Sequence, residues 1–451
     1  MSVAKIFSTL GNPQSLVPLA IKDSANSLGM TTASSITNKD EGRDRFIDEF
    51  GTEVIWLGGI PAFKKVLDKT LFKVAGLDAK YDVRNLKNND IYKKTKEYAP
   101  TDKIKSNIEK IGKNKTAFKV LNGAKFVLST IMTLGVYNVM TDMKQKYTHN
   151  RIKTKLLNAQ EQEAKAKMAK TISSLDSTKT DTNFTNISKL RNHNKDEKNG
   201  QTSFKGGFDV MLDPVKNTLV LDAGITSERL AKSRSPQELM GYAIKEGGFL
   251  FFMYYLGQKI QNVLENKADT KHNKNIGLDA RVLEDENFKQ SFADKSIEAS
   301  LKEFETPKTD VELYDFLHKN PENMVVKSAK QSDIIQTYKE PKKWYQIFTK
   351  PKDTNKIDTR KYINLDDVRT AHKNMAKLYQ QFNESGQTVD EFFNGVRKLK
   401  RGSIIKNIGS TILALGVVLP SIMLADRLLK PDNKEFAVEK EIKSQIAKET
   451  V

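Results

Sequence analysis

Apolar and polar residues along this chain separate into blocks. The most apolar block, Ile408 to Ala425 (IGSTILALGVVLPSIMLA), is uncharged, ends at Asp426-Arg427, and is echoed about 280 residues earlier at Phe126 to Thr141. At 1.5 Å per helical residue it covers about 27 Å, just short of the roughly 30 Å hydrocarbon core of a bilayer. Extending it back to Ser403 adds a turn whose one charge, Lys406, can snorkel to the headgroups, and Pro420 kinks such a helix without forbidding it. The earlier block, from Val120 to Thr141, carries the single charge Lys125 and is the weaker candidate. Both are expected to be transmembrane helices; the alternative is a pair of buried core helices.

The two blocks share S-T-I-x-x-L-G-V, as Ser129 to Val136 and Ser410 to Val417. Ser129 and Thr133 superpose on Ser410 and Ala414, with Gly135 on Gly416. Small residues four apart on one helix face let backbones approach in lipid, so these six positions are the expected packing site of one block on the other.

Further matches suggest an internal repeat. Asn38 with Glu41, and Ser235 with Glu238 and Pro236, both have the pattern of a capped helix start. At the same offset of 197 residues, Ile47-x-Glu49-x-Gly51 matches Ile244-x-Glu246-x-Gly248; further on, at a slightly longer spacing, Gly76-Leu-Asp-Ala79 before Lys80 matches Gly277-Leu-Asp-Ala280 before Arg281. The order is a capped helix, an aromatic or apolar segment, a GLDA turn, a polar insert and an apolar helix.

Within copy one, Val54 to Phe63 contains Gly58, Gly59 and Pro61 and reads as a broken re-entrant or interfacial element. Phe63, Val66, Leu67, Leu71 and Val74 then line one face of a basic amphipathic helix, and Phe249 to Val263 forms the aromatic counterpart in copy two. Phe208 to Asp222 alternates around Pro214-Val-Lys-Asn217 and reads as a β-hairpin. Met143 to Lys170 has a charged helical pattern, Thr171 to Thr202 the composition of a disordered linker, and Asp366 to Phe382 and Val389 to Leu399 read as helices.

The expected fold is mainly α: a duplicated helical unit with two transmembrane helices, interfacial amphipathic helices and one small β-hairpin. Its divisions are a poorly ordered leader (1–37), copy one (38–141), a polar helix and linker (142–203), copy two (204–426) with a soluble helical insert (282–400), and a charged tail (427–451).

Composition narrows the function classes. With 38% hydrophobic and 29% charged residues the chain is too polar for a polytopic transporter, and its lack of cysteine excludes disulfides, thiolate nucleophiles and cysteine-ligated metals. The net charge of +19 is mostly lysine, clustered at Lys103 to Lys119 and Arg397 to Lys406 beside the apolar blocks. Such clusters attract anionic lipid and favour a cytoplasmic location for these flanks. An anionic membrane is therefore the expected partner, the cytoplasmic (inner) membrane the expected location, and self-association through the apolar helices a further expectation. Nucleic acid is not expected, because recognition modules add arginine and stacking aromatics to the basic field. The amino terminus lacks the pattern of a cleaved secretory signal.

Candidate chemistry is sparse. His149, His193, His272, His318 and His372 occupy polar contexts without metal-ligand spacing and are expected to be solvated. Val220-Leu-Asp222-Ala-Gly224-Ile-Thr226 resembles, over these seven residues, the D-[ST]-G-[ST] loop of aspartic proteases and the D-x-G-x-[ST] phosphate loop of actin-like ATPases. Ala223 replaces the hydroxyl of the protease pattern, and no second carboxylate loop accompanies it. Asp209, Asp213 and Asp222 are too few for an oxygen-ligand cation site. No catalytic residue, cofactor or metal is expected. The preferred expectation is a membrane scaffold or envelope component; the alternatives are a soluble helical interaction module and a hydrolase or ATP-binding protein using Asp222.

Overall fold

The computed structural model describes residues 3–12, 15–174, 212–340, 352–429 and 436–449. The described residues are mainly helical, with one two-stranded antiparallel sheet among them. The stretch expected to be a poorly ordered leader forms two helices, α1 (Val3–Gly11) and α2 (Leu16–Thr37). In α2 the buried face carries Lys22, Asn26, Ser27, Thr31 and Ser34 while Val17, Leu28 and Ile36 are exposed. That inverted polarity hides the helix from a reading that equates core with apolar residues.

Helix α3 (Lys39–Leu67) begins at Asn38, whose side chain accepts from the Asp40 and Glu41 amides. It runs unbroken through Gly58, Gly59 and Pro61, correcting the expected re-entrant break. A proline inside a helix removes one hydrogen bond, and neighbouring helices can compensate. A π-helical turn at Asp68–Phe72 follows, then α4 (Asn89–Glu97), α5 (Asp102–Lys113) and the 60-residue α6 (Lys115–Ser174). The expected linker lies largely outside the described residues.

Where a hairpin was expected, α7 (Pro214–Ala231) is helical from its first turn, with Asp213 accepting from the Val215 and Lys216 amides. Asp before Pro at the first helical position starts a helix as readily as it makes a turn, and short alternation does not separate the two. Phe208 to Met211 lie outside the described residues. Helix α8 (Pro236–Leu250) starts at Ser235 as expected and continues through a π-helical turn (Phe251–Leu256) into α9 (Gly257–His272).

The insert follows as α10 (Ala280–Leu283), α11 (Glu286–Ala293), α12 (Ser296–Phe304), α13 (Asp310–Lys319) and α14 (Met324–Gln331), then β1 (Thr337–Lys339) paired with β2 (Asp353–Ile357), and α15 (Leu365–Ser385). Helix α16 (Val389–Leu413) joins α17 (Leu419–Leu429) through a π-helical turn (Ala414–Val418), and α18 (Ala437–Glu449) ends the described chain.

The apolar cores divide the molecule. Phe288, Phe292, Phe392 and Phe393 centre the insert, while Phe72, Tyr81, Ile108 and Phe118 centre a smaller group where α5 meets the start of α6. Between α3, α6, α7, α8 and the π-helical turn of α16–α17 lies a third core that includes Trp56, Tyr137, Leu221 and Leu415. Helix α18 closes the far end, burying Ile442 and Ile446 with Ile152 of α6.

Among the described residues two helices, Lys115–Lys167 and Val389–Leu429, are long and apolar enough to cross a membrane, and only 28% and 22% of their apolar windows are buried. Their outward residues include Val127, Ile131, Val136, Val139, Leu413, Val417 and Ile422.

Candidate functional site in the charged bundle interior

The third core is bordered on one side by charge rather than by more hydrocarbon. On α3, Asp40, Asp44 and Asp48 recur every four residues, so they share one face. On α6, Lys144, Thr148, Arg151 and Lys155, spaced four, three and four residues apart, also share one face and oppose them. Lys144 Nζ lies 3.2 Å from Asp48 and 3.6 Å from Asp44. Thr148 donates to Asp44 at 2.6 Å, Arg151 to Asp40 at 2.8 Å, and Lys155 to Asp40 at 2.5 Å. Asp44, Asp48 and Lys144 are all buried.

Arg229 of α7 reaches the centre of this seam. Its guanidinium ion-pairs with Asp48 at 3.0 Å, with Glu49 at 3.3 Å and with Glu246, and donates to Thr52 at 2.9 Å and to the Tyr137 hydroxyl at 3.2 Å. Lys245 of α8 completes the group, 2.5 Å from Glu49 and 3.1 Å from Glu246. Tyr242 lies between two guanidiniums, Arg45 at 5.4 Å and Arg229 at 5.6 Å from its ring centre. Planar guanidinium suits such multi-carboxylate contact better than ammonium does. A charge buried alone costs several kcal/mol, so the network is stable only while its members neutralise one another.

Glu49 and Glu246 occupy equivalent positions of the 197-residue sequence match, and both meet at Arg229 and Lys245. The glycines two residues on also have parallel settings. A Cβ at Gly51 would approach Met140 Sδ of α6 to 2.5 Å, and one at Gly248 would collide with Leu419 of α17. In each case the helix bearing the pentad is crossed at its glycine by one of the two long apolar helices. The GLDA segments share only their aspartate turn, Asp78 accepting from the Lys80 amide at 2.9 Å and Asp279 from the Arg281 amide at 2.8 Å; Gly76 has a left-handed backbone and Gly277 does not, and Asp279 alone caps a helix.

The expected packing residues separate. Ser129 and Thr133 are buried, and Thr133 packs on α3, where a Cβ at Gly59 would lie 2.5 Å from its methyl. Gly416 packs on α2, its own Cβ position 3.1 Å from the Ala25 carbonyl oxygen. Ser410 is exposed, Ala414 half-buried, and Gly135 faces open space. Asp222 lies within α7, so Val220 to Thr226 is a helical segment and lacks the strand-to-loop setting that both resemblances require.

Two histidines expected to be solvated are packed instead. His318 stacks on Tyr98 with ring centres 4.3 Å apart and contacts the Tyr314 carbonyl at 2.9 Å; burial lowers its pKa to about 4. His372 stacks on Phe304, and burial lowers its pKa as well. Among the described residues no group of His, Asp and Glu is arranged to hold a metal.

In the sequence Glu49 and Glu246 stand out only as repeat markers, and no pattern there gives Arg229, Lys144 or Lys245 a role in a site. The available signal was the four-residue recurrence of aspartate on α3 and the one-face spacing of Lys144, Arg151 and Lys155 on α6, within segments that also carry apolar residues. Comparison with family models, curated proteins and solved structures finds no match to this chain.

Proposed function

We propose that the chain is an integral-membrane scaffold: a helical bundle held in lipid that carries the insert at the membrane surface. The observation that supports this most directly is the inversion of polarity. Charge is turned inward on α2, α3, α6 and α8, while Val54, 72% exposed, Val139, Val263 and Val417 are turned outward. Large apolar residues exposed on several helices of one bundle fit a membrane or protein contact. Interlocked ion pairs inside such a bundle fit the rule that charge in a membrane faces the interior and pairs there.

The duplication is part of the same proposal. Two helical units, each a capped helix crossed at a glycine by its apolar helix, join where Glu49 and Glu246 share Arg229 and Lys245. Copies with the same fold and an even number of spans share one orientation, as parallel repeats do. The polarity of the interior serves association: the paired charges fix which helix faces which.

Membrane fractionation with an alkaline carbonate wash tests the reading, with retention in the pellet expected and release to the supernatant overturning it. A sharper comparison uses Val417, 52% exposed, and Leu415, fully buried, on the same π-helical turn. In lipid, Val417→Lys should impair insertion at a cost of about 2.5–3.5 kcal/mol. In water the same change would be nearly neutral while Leu415→Lys alone disrupted the fold.

A further inference from the structure

A cavity of about 820 Å³ lies between α1, α2, α9, α16 and the Asn275–Ala280 turn, on the insert side of the bundle. Lys22 of α2 lines it and is only 7% exposed, and among the described residues no carboxylate lies within ion-pair distance of its ammonium. Every other interior lysine discussed above has at least one such carboxylate. A Cβ at Gly257 would lie 3.6 Å from Lys22 Nζ, so nothing larger than glycine separates the amine from α9. One turn along the same helix face, Asn26 is fully buried with neither amide atom partnered.

The carboxylates that face the cavity are engaged elsewhere. Asp279 accepts from Ser8 at 2.9 Å and from Arg281, Asp333 pairs with Arg281 at 2.6 Å, and Glu265 accepts from Gln261 at 2.8 Å and lies 3.8 Å from Lys400. Asp367, also on the lining, is half-buried and packs at the insert end. The lining also includes the buried apolar residues Leu19, on the same helix as Lys22, Met253 and Ile404. An ammonium has three donors and no acceptor, and a buried one without a counter-charge is costly. The volume falls within the range of ligand pockets and far exceeds what a single small ion needs.

We infer that this cavity is a binding site for an amphiphilic monoanion, whose acid group pairs with Lys22 and whose hydrocarbon lies along Leu19, Met253 and Ile404. A fatty carboxylate and a phospholipid phosphodiester both carry this chemistry. The assignment extends the membrane reading but does not depend on it, since a fatty acid can reach the cavity from solution.

The test uses the full chain purified in a neutral detergent. Titration with cis-parinaric acid should show saturable binding near one per chain, competed by oleate and not by oleyl alcohol. Native mass spectrometry from nanodiscs of mixed phosphatidylglycerol and phosphatidylcholine should show whether the retained anion is instead the phospholipid. Lys22→Met should weaken anion binding at least tenfold while leaving thermal stability unchanged or raised, and Lys22→Arg should retain binding. Ile404→Trp, which fills the cavity and keeps the lysine, should also abolish it. Equal binding of oleate and oleyl alcohol, undiminished binding by Lys22→Met, or no binding of either anion would overturn the assignment. Release from membranes in the carbonate wash alongside intact oleate binding would overturn the membrane reading alone.

Discussion

Arg229 has more carboxylate partners than any other residue in the bundle interior described above, with Asp48, Glu49 and Glu246 all within ion-pair reach. Arg229→Met would remove the one cation common to all three, leaving Asp48 to Lys144 and Glu49 and Glu246 to Lys245, and unfolding in detergent should show a loss of about 3–5 kcal/mol. Adding Glu246→Gln should restore part of that loss, because it removes one of the stranded charges; a double variant no better than the single would contradict the network's role. In the insert, His318 gives a separate pH signature. Its folded pKa of about 4 lies below the ordinary 6.5, so the unfolded chain binds the extra proton between those values. The stabilisation from keeping His318 neutral is therefore present above about pH 6.5 and is lost as pH falls toward 4, by at most about 3 kcal/mol. Unfolding midpoints measured across this window should fall more steeply for the native chain than for His318→Gln.

Helix crossings depend on particular glycines. Gly58 and Gly59 are neighbours in α3, yet a Cβ at Gly58 meets open space while one at Gly59 meets Thr133. Gly58→Ala should therefore stabilise by up to about 1 kcal/mol through helix propensity. Gly59→Ala should destabilise by about 1–3 kcal/mol through overpacking. Thermal melts of the two variants decide it, and equal effects would count against the crossing. The S-T-I-x-x-L-G-V motif illustrates what a shared sequence leaves open. In α6 the buried positions are Ser129, Thr133 and Tyr137; in α16 and its π-helical turn they are Thr411 and Leu415, equivalents of Thr130 and Leu134. The same motif is thus turned by about one residue, roughly 100° around the helix axis. One copy faces α3 and the other α2, because the buried stripe is chosen by the neighbour available.

For the whole molecule, the insert has its own apolar core, built from Ala268 to Val396 with Ile91 added from α4. A fragment of residues 273–399 should fold in water without detergent and give a cooperative melt by circular dichroism; aggregation of that fragment would argue that the bundle is needed to complete it. The helical class, the two long apolar helices, the caps at Asn38 and Ser235 and the helices of the insert were legible in the sequence, since each follows from local periodicity or capping chemistry. The helix at Pro214 was not, because its first turn has the composition of a β-turn. The charged interior was legible only as a helical spacing of charge, which gathers Asp40, Asp44 and Asp48 on one face of α3 without saying whether that face meets water or Arg229. Local pattern determined which segments are helices and how apolar each one is. Only the tertiary structure decided which face of each helix is inside, because burial of a charge depends on a partner some 180 residues away, as Glu49 and Arg229 show.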